Sequence, residues 1–149
     1  MEIKTPAFKN KDFIPDKYTC EDENINPLIE FSDIPEGAKS LALIIDDPDA
    51  PTKFNWVHWS VWNIEPNSKY IYEDSFPLGA LQGLNSSGYV RYDGPCPPKG
   101  DNPHRYFFKA YALDVKLDLP EGSSREELEK IMKNHIIEEA EIIGLYQRK

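Results

Sequence analysis

Ser40-Leu41-Ala42-Leu43-Ile44-Ile45-Asp46-Asp47-Pro48-Asp49-Ala50-Pro51 opens on an unbroken apolar run and closes on a rigid, acidic, proline-bounded loop. A strand with one wet face alternates apolar and polar residues. A continuous run that stops at turn residues instead reads as a strand buried on both faces, whose end delivers Asp47 to a loop. Just downstream, Trp56-Val57-His58-Trp59 begins a second strand-like run from Val57 to Ile64. Period two sets Val57, Trp59 and Val61 on one face and His58, Ser60 and Trp62 on the other. The pattern recurs later: Gly94-Pro95-Cys96-Pro97-Pro98-Lys99-Gly100 precedes His104-Arg105-Tyr106. There the same period groups His104, Tyr106, Phe108 and Ala110, leaving Arg105, Phe107, Lys109 and Tyr111 opposite. Two inflexible loops thus each bring an imidazole to the start of a strand.

Working outward, the chain's 149 residues fit one domain spanning 1–149, with room for a core that buries roughly 70% of the unfolded surface. Thirteen prolines and eight glycines punctuate it every few residues, favouring short strands and structured loops over a helical bundle. The one helix to expect begins at Ser123 or Ser124. Ser123-x-x-Glu126 and Ser124-x-x-Glu127 both fit a capping box, with an apolar stripe of Leu128, Ile131, Met132 and His135 ending near 134–137. Ala140 to Tyr146, with its β-branched pair and Gly144, reads as a final strand. The fold class is mainly β.

A formal charge of −9, from 26 acidic against 17 basic residues, excludes nucleic acid as a partner and disfavours anionic membrane surfaces. No apolar stretch is long enough to insert in a membrane, and Met1-Glu2-Ile3-Lys4 does not open a secretory leader. A soluble, cytoplasmic protein is expected. Cys20 and Cys96 lack CxxC or zinc-finger spacing; no disulfide can be inferred from them, and a reducing compartment fits best.

Asp47, His58, His104 and Tyr106, with the backbone N–H of Cys96, form the candidate chemistry. Protonated imidazoles and backbone donors suit a small oxyanion, while the carboxylate raises an imidazole pKa and orients its ring. Asp46 and Asp49 read as turn formers, Trp59 and Trp62 as core, Trp56 as a pocket wall and His135 as helix packing. Two other chemistries use the same residues. Cys96 beside His58 or His104 would make a thiolate–imidazole pair for a hydrolase or transferase, and His58, His104 and Asp47 match a metal-binding facial triad.

Asp47-Pro48-Asp49-Ala50-Pro51 with Trp-x-His, and Gly-Pro-x-Pro-Pro-x-Gly-x-x-x-His-Arg-Tyr, resemble both signature regions of the phosphatidylethanolamine-binding protein family, also called Raf kinase inhibitor proteins. Ile14-Pro15-x-x-Tyr18-Thr19-Cys20, Asn24-Ile25-Asn26-Pro27-Leu28 and Ile34 to Leu41 are similar to its short prokaryotic branch, so the resemblance covers nearly the whole chain. It implies a large central antiparallel sheet packed with a smaller sheet, and few helices. At one end it implies an anion pocket of Asp47, Ala50, Pro51, Trp56, His58, Cys96, Pro97, His104 and Tyr106. It also implies a cis Ala50–Pro51 bond. The ligand expected is a phosphate, a phosphorylated headgroup or a carboxylate, held without cofactor, metal or catalysis. A kinase or protease target and a homodimer are the partners the family suggests. Two departures stand out: Cys96 replaces a glycine of mammalian members, and their longer C-terminal helical extension is expected to be missing.

Overall fold

The computed structural model describes residues 1–149. Two antiparallel sheets make up the protein. The smaller joins β1 (Glu2–Lys4), β2 (Ile29–Ser32) and β5 (Tyr70–Ile71) in the order β1-β2-β5. The larger joins β6 (Leu81–Gln82), β4 (Trp56–Ile64), β3 (Ser40–Asp47), β7 (His104–Leu113) and β8 (Ile136–Tyr146) in the order β6-β4-β3-β7-β8. The helix α1 (Arg125–Met132) lies between β7 and β8 in sequence.

β3 occupies the centre of the large sheet, which explains its unbroken apolar run. Leu41, Leu43 and Ile45 enter a core shared with Ile29, Phe31 and Ile71 of the small sheet. Ala42 and Ile44 face the other way, into a second core with Trp62, Leu128 and Met132. Every residue of β3 is buried. A strand clamped between a sheet and a helix has no wet face, so no alternation is required. Trp59 and Trp62 are indeed core, one in each layer.

α1 starts where its second candidate cap stands. Ser124 Oγ accepts from the Glu127 N–H and the Glu127 carboxylate accepts from the Ser124 N–H, a reciprocal capping box. The helix ends at Met132, earlier than the 134–137 expected from the stripe. Leu128 and Met132, one turn apart, supply its buried contacts, and β8 then pairs from Ile136 along the whole of β7, with one register shift between Ala112 and Leu113. Ladder hydrogen bonds with β7 outweigh about one further turn of a helix with nothing left to bury. His135 therefore lies beyond the helix, half exposed, its Nδ1 2.8 Å from Asp114 Oδ1. It is not a packing residue. The expected final strand is present and begins four residues earlier than Ala140.

Candidate functional site

Three strand ends meet at one end of the large sheet. β3 finishes at Asp47 opposite Trp56, the first residue of β4, and Asp46 pairs with Phe107 of β7. His58 enters on β4, while His104 and Tyr106 enter on β7. Period two then separates the neighbouring aspartates. Asp47 turns to the candidate site; Asp46 turns to the opposite face, where its buried Oδ2 accepts from Lys109 Nζ (3.1 Å), Arg125 Nη1 (3.1 Å) and Asn55 Nδ2 (3.3 Å). Asp46 is thus a buried anchor for α1 rather than a turn former. Asp49 is not a turn former either: its carboxylate accepts from Arg105 Nε and Nη2, at 2.9 Å each, and from the Arg105 backbone N–H.

The first loop closes on itself. Asp47 Oδ1 accepts from the Asp49 N–H at 2.7 Å, and the Thr52 N–H donates to the Ala50 carbonyl at 2.7 Å. All peptide bonds are trans, Ala50–Pro51 included, contrary to the expected cis bond. Trans is the lower-energy isomer before proline, and these short-range bonds close the turn with it.

The second loop is held from several sides. The Gly94 N–H donates to Asn24 Oδ1 (2.8 Å), Asn24 Nδ2 donates to Asp93 Oδ1 (3.0 Å), and Arg148 Nε donates to the Pro97 carbonyl (2.7 Å). Glycine is required at 94, because a Cβ there would stand 2.1 Å from the Tyr18 carbonyl oxygen. Cys96 is disulfide-bonded to Cys20, with their Cα atoms 5.4 Å apart. The sequence offered no basis for this pairing; the fold supplies it by laying the 19–24 loop against the 93–97 loop, where the Cys20 N–H donates to the Pro95 carbonyl. The bond removes the free thiol that a Cys96-based hydrolase or transferase needs, and with it the cysteine argument for a reducing compartment.

Between these loops lies a cavity of about 280 Å³. Asp47, Ala50, Pro51, Trp56, His58, Cys96, Pro97, His104 and Tyr106 all line it, and Thr52, Ser87, Asp93, Gly94 and Pro98 complete the wall. Gly94 opens the second motif and Asp93 immediately precedes it, though the sequence marked neither as a site residue. Ser87 had no sequence signal, since only the fold carries its loop to the rim.

The two imidazoles sit differently. His58 is buried, and its Nδ1 lies 2.7 Å from the Asp93 carbonyl oxygen. A carbonyl only accepts, so Nδ1 carries the proton and Nε2 keeps its lone pair in the neutral ring. Burial pushes this histidine's pKa down, outweighing the nearby carboxylates. His104 stands between two carboxylates, Nδ1 2.7 Å from Asp47 Oδ2 and Nε2 3.1 Å from Asp101 Oδ2. Burial opposes its charge, but the hydrogen bonds and charges of Asp47 and Asp101 together prevail and raise its pKa. The expectation that a carboxylate raises an imidazole pKa thus holds for His104 and reverses for His58. Burial, then the Asp47 charge, pushes the Tyr106 phenol up, so it remains an O–H donor. Its ring meets His58 edge-on at 5.2 Å and stacks with His104 at 6.4 Å.

For a metal, this arrangement is a poor match. Both nitrogens of His104 and Nδ1 of His58 are engaged, and no group of three or more His, Cys, Asp or Glu side chains is arranged to ligate an ion. Among the polar groups of the lining residues that have no hydrogen-bond partner are His58 Nε2, the Tyr106 hydroxyl and the Cys96 N–H, with Trp56 Nε1 and Ser87 Oγ beside them.

Two packed antiparallel sheets with a polar cavity where three central strands end define a β-sheet protein built around an end pocket. The phosphatidylethanolamine-binding protein family model matches residues 4–147, and the chain belongs to that family. A UPF0098 protein of Methanothermobacter thermautotrophicus is 49% identical over 99% of both chains. Among solved structures, a putative phosphatidylethanolamine-binding protein homolog from Chlamydia trachomatis superposes with a TM-score of 0.92 at 43% identity, covering 99% of this chain and 97% of that one. Escherichia coli YbcL, described as a new member of the mammalian PEBP family, gives 0.94 at 35% identity, covering 99% and 98%.

Proposed function

We propose that this chain is a non-enzymatic binding protein whose end pocket holds a phosphoryl or carboxylate group, carried by a small ligand or by a protein partner. One observation supports this above others: unengaged polar groups, among them His58 Nε2 on β4, the Tyr106 O–H on β7 and the Cys96 N–H on a disulfide-tied, proline-rich loop, border one cavity. Groups held in place need little ordering when a ligand arrives, so their hydrogen bonds appear as affinity. In this picture His104 does not touch the anion. It is an internal cation that neutralises Asp47, keeping that carboxylate from repelling the ligand.

Calorimetric titration with phosphate, phosphoethanolamine and acetate, at two pH values, tests the proposal. Hydrogen bonds to a charged partner contribute about 1.5–3 kcal/mol each, so His58→Ala and Tyr106→Phe should each weaken phosphate binding roughly tenfold or more while thermal unfolding stays cooperative. Unchanged affinity in the double variant would reject the pocket as the binding site.

A further inference from the structure

The cavity wall is short of positive charge. Asp47 and Asp93 line it, Asp101 adjoins it through His104, and Asp46 lies just behind on β3. His104, the cation among them, is already engaged by Asp47 and Asp101. Arg148 donates to the Pro97 carbonyl with Glu21 3.9 Å away, and Arg105 is held by Asp49. No free guanidinium or ammonium group is left on the wall to meet a doubly charged oxyanion.

The unengaged groups are also of mixed kind. The Tyr106 O–H, the Cys96 N–H and the Trp56 Nε1–H donate, but in the neutral ring His58 Nε2 accepts, because Nδ1 holds the one proton against the Asp93 carbonyl. A proton-free oxyanion set against that nitrogen brings two lone pairs together. An oxyanion carrying one O–H offers a partner to either kind, bare oxygens for the donors and a hydroxyl for Nε2.

We infer that the pocket selects the singly protonated, monoanionic form of a phosphomonoester, whose P–O–H donates to His58 Nε2, over proton-free oxyanions of the same shape. This rests on the anion pocket proposed above and narrows its ligand class. Carboxylates, sulfate esters and phosphodiesters carry no such proton and bind less tightly. The burial that keeps His58 neutral supports the assignment, as does the surrounding acidity, which disfavours a second negative charge on the ligand.

Methyl phosphate and methyl sulfate separate the two possibilities, since they share size and shape but only the phosphate ester can carry a proton. Phosphate monoesters lose theirs near pH about 6. Titrated calorimetrically between pH about 5 and about 8, methyl phosphate should bind roughly tenfold or more tighter than methyl sulfate on the acid side, and should weaken as its monoanion is depleted. Methyl sulfate should stay weak and flat. His58→Gln, whose amide both donates and accepts, should bring the two probes together. Equal binding of both probes to the unaltered protein at every pH overturns the inference and leaves the anion pocket intact. Methyl sulfate tightening in acid alongside methyl phosphate also overturns it, by making protonated His58 the donor. No binding of either probe, nor of phosphate or acetate, overturns the pocket itself.

Discussion

His58 and His104 arrive at one cavity from similar proline-rich loops, yet their partners push them in opposite directions. A carbonyl satisfies His58 without favouring the charged ring strongly enough to offset burial, whereas two carboxylates hold a proton on His104. In the unfolded chain both rings titrate near about 6.5. His104, raised on folding, contributes stability that is complete below that value and is lost as pH rises through its folded pKa. His58, depressed on folding, contributes stability present above that value and lost as pH falls through its folded pKa. Proton NMR of the ring resonances should therefore place the His104 midpoint above and the His58 midpoint below the model-peptide value. Asp47→Asn should move the His104 midpoint down. A His104 midpoint indifferent to Asp47 would refute the ion pair.

At the scale of elements, α1 is a short helix that depends on what holds its first turn. Ser124 and Glu127 satisfy each other's backbone donors, and Arg125 reaches across to the buried Asp46 of β3, fastening helix to sheet. Ser124→Ala removes the acceptor for the Glu127 N–H and should cost about 1 kcal/mol, read as a lower urea midpoint with unchanged slope. An unaltered midpoint would mean the cap is redundant beside the Leu128 and Met132 contacts. The capping box was legible in four residues because its chemistry is local. The helix's end was not, since the competing partner, β7, lies some twenty residues upstream of the chain that pairs with it.

Across the whole molecule, one covalent bond ties the 93–97 loop, which walls the cavity, to the 19–24 loop packed against it. Cys20 and Cys96 lie 76 residues apart, so the disulfide restricts the unfolded chain over half its length. The chain-entropy account puts that restriction at about 4 kcal/mol, and typical measured effects run about 2–4. Cys20→Ser with Cys96→Ser should lower the unfolding free energy by that order, and a dithiol reductant should reproduce the loss in the unaltered protein but not in the double variant. A reductant effect of equal size in both would point away from the disulfide. The sheets themselves should persist, because neither core includes either cysteine.

What the sequence alone determined is whatever depends on near neighbours or on period. The apolar run before Asp46 fixed a doubly buried central strand, alternation put His104 and Tyr106 on one face, and proline-rich loops marked the end where the cavity forms. What only the tertiary structure decided depends on residues brought together from afar. Asp101 and Asp47 became joint partners of His104, the Asp93 carbonyl fixed the His58 tautomer, Asp46 turned from the site to anchor α1, and two cysteines without motif spacing became one bond. Side-chain identity limits which hydrogen bonds a residue can make; the packed fold determines which partner is within about 3 Å, and so which charge the residue carries.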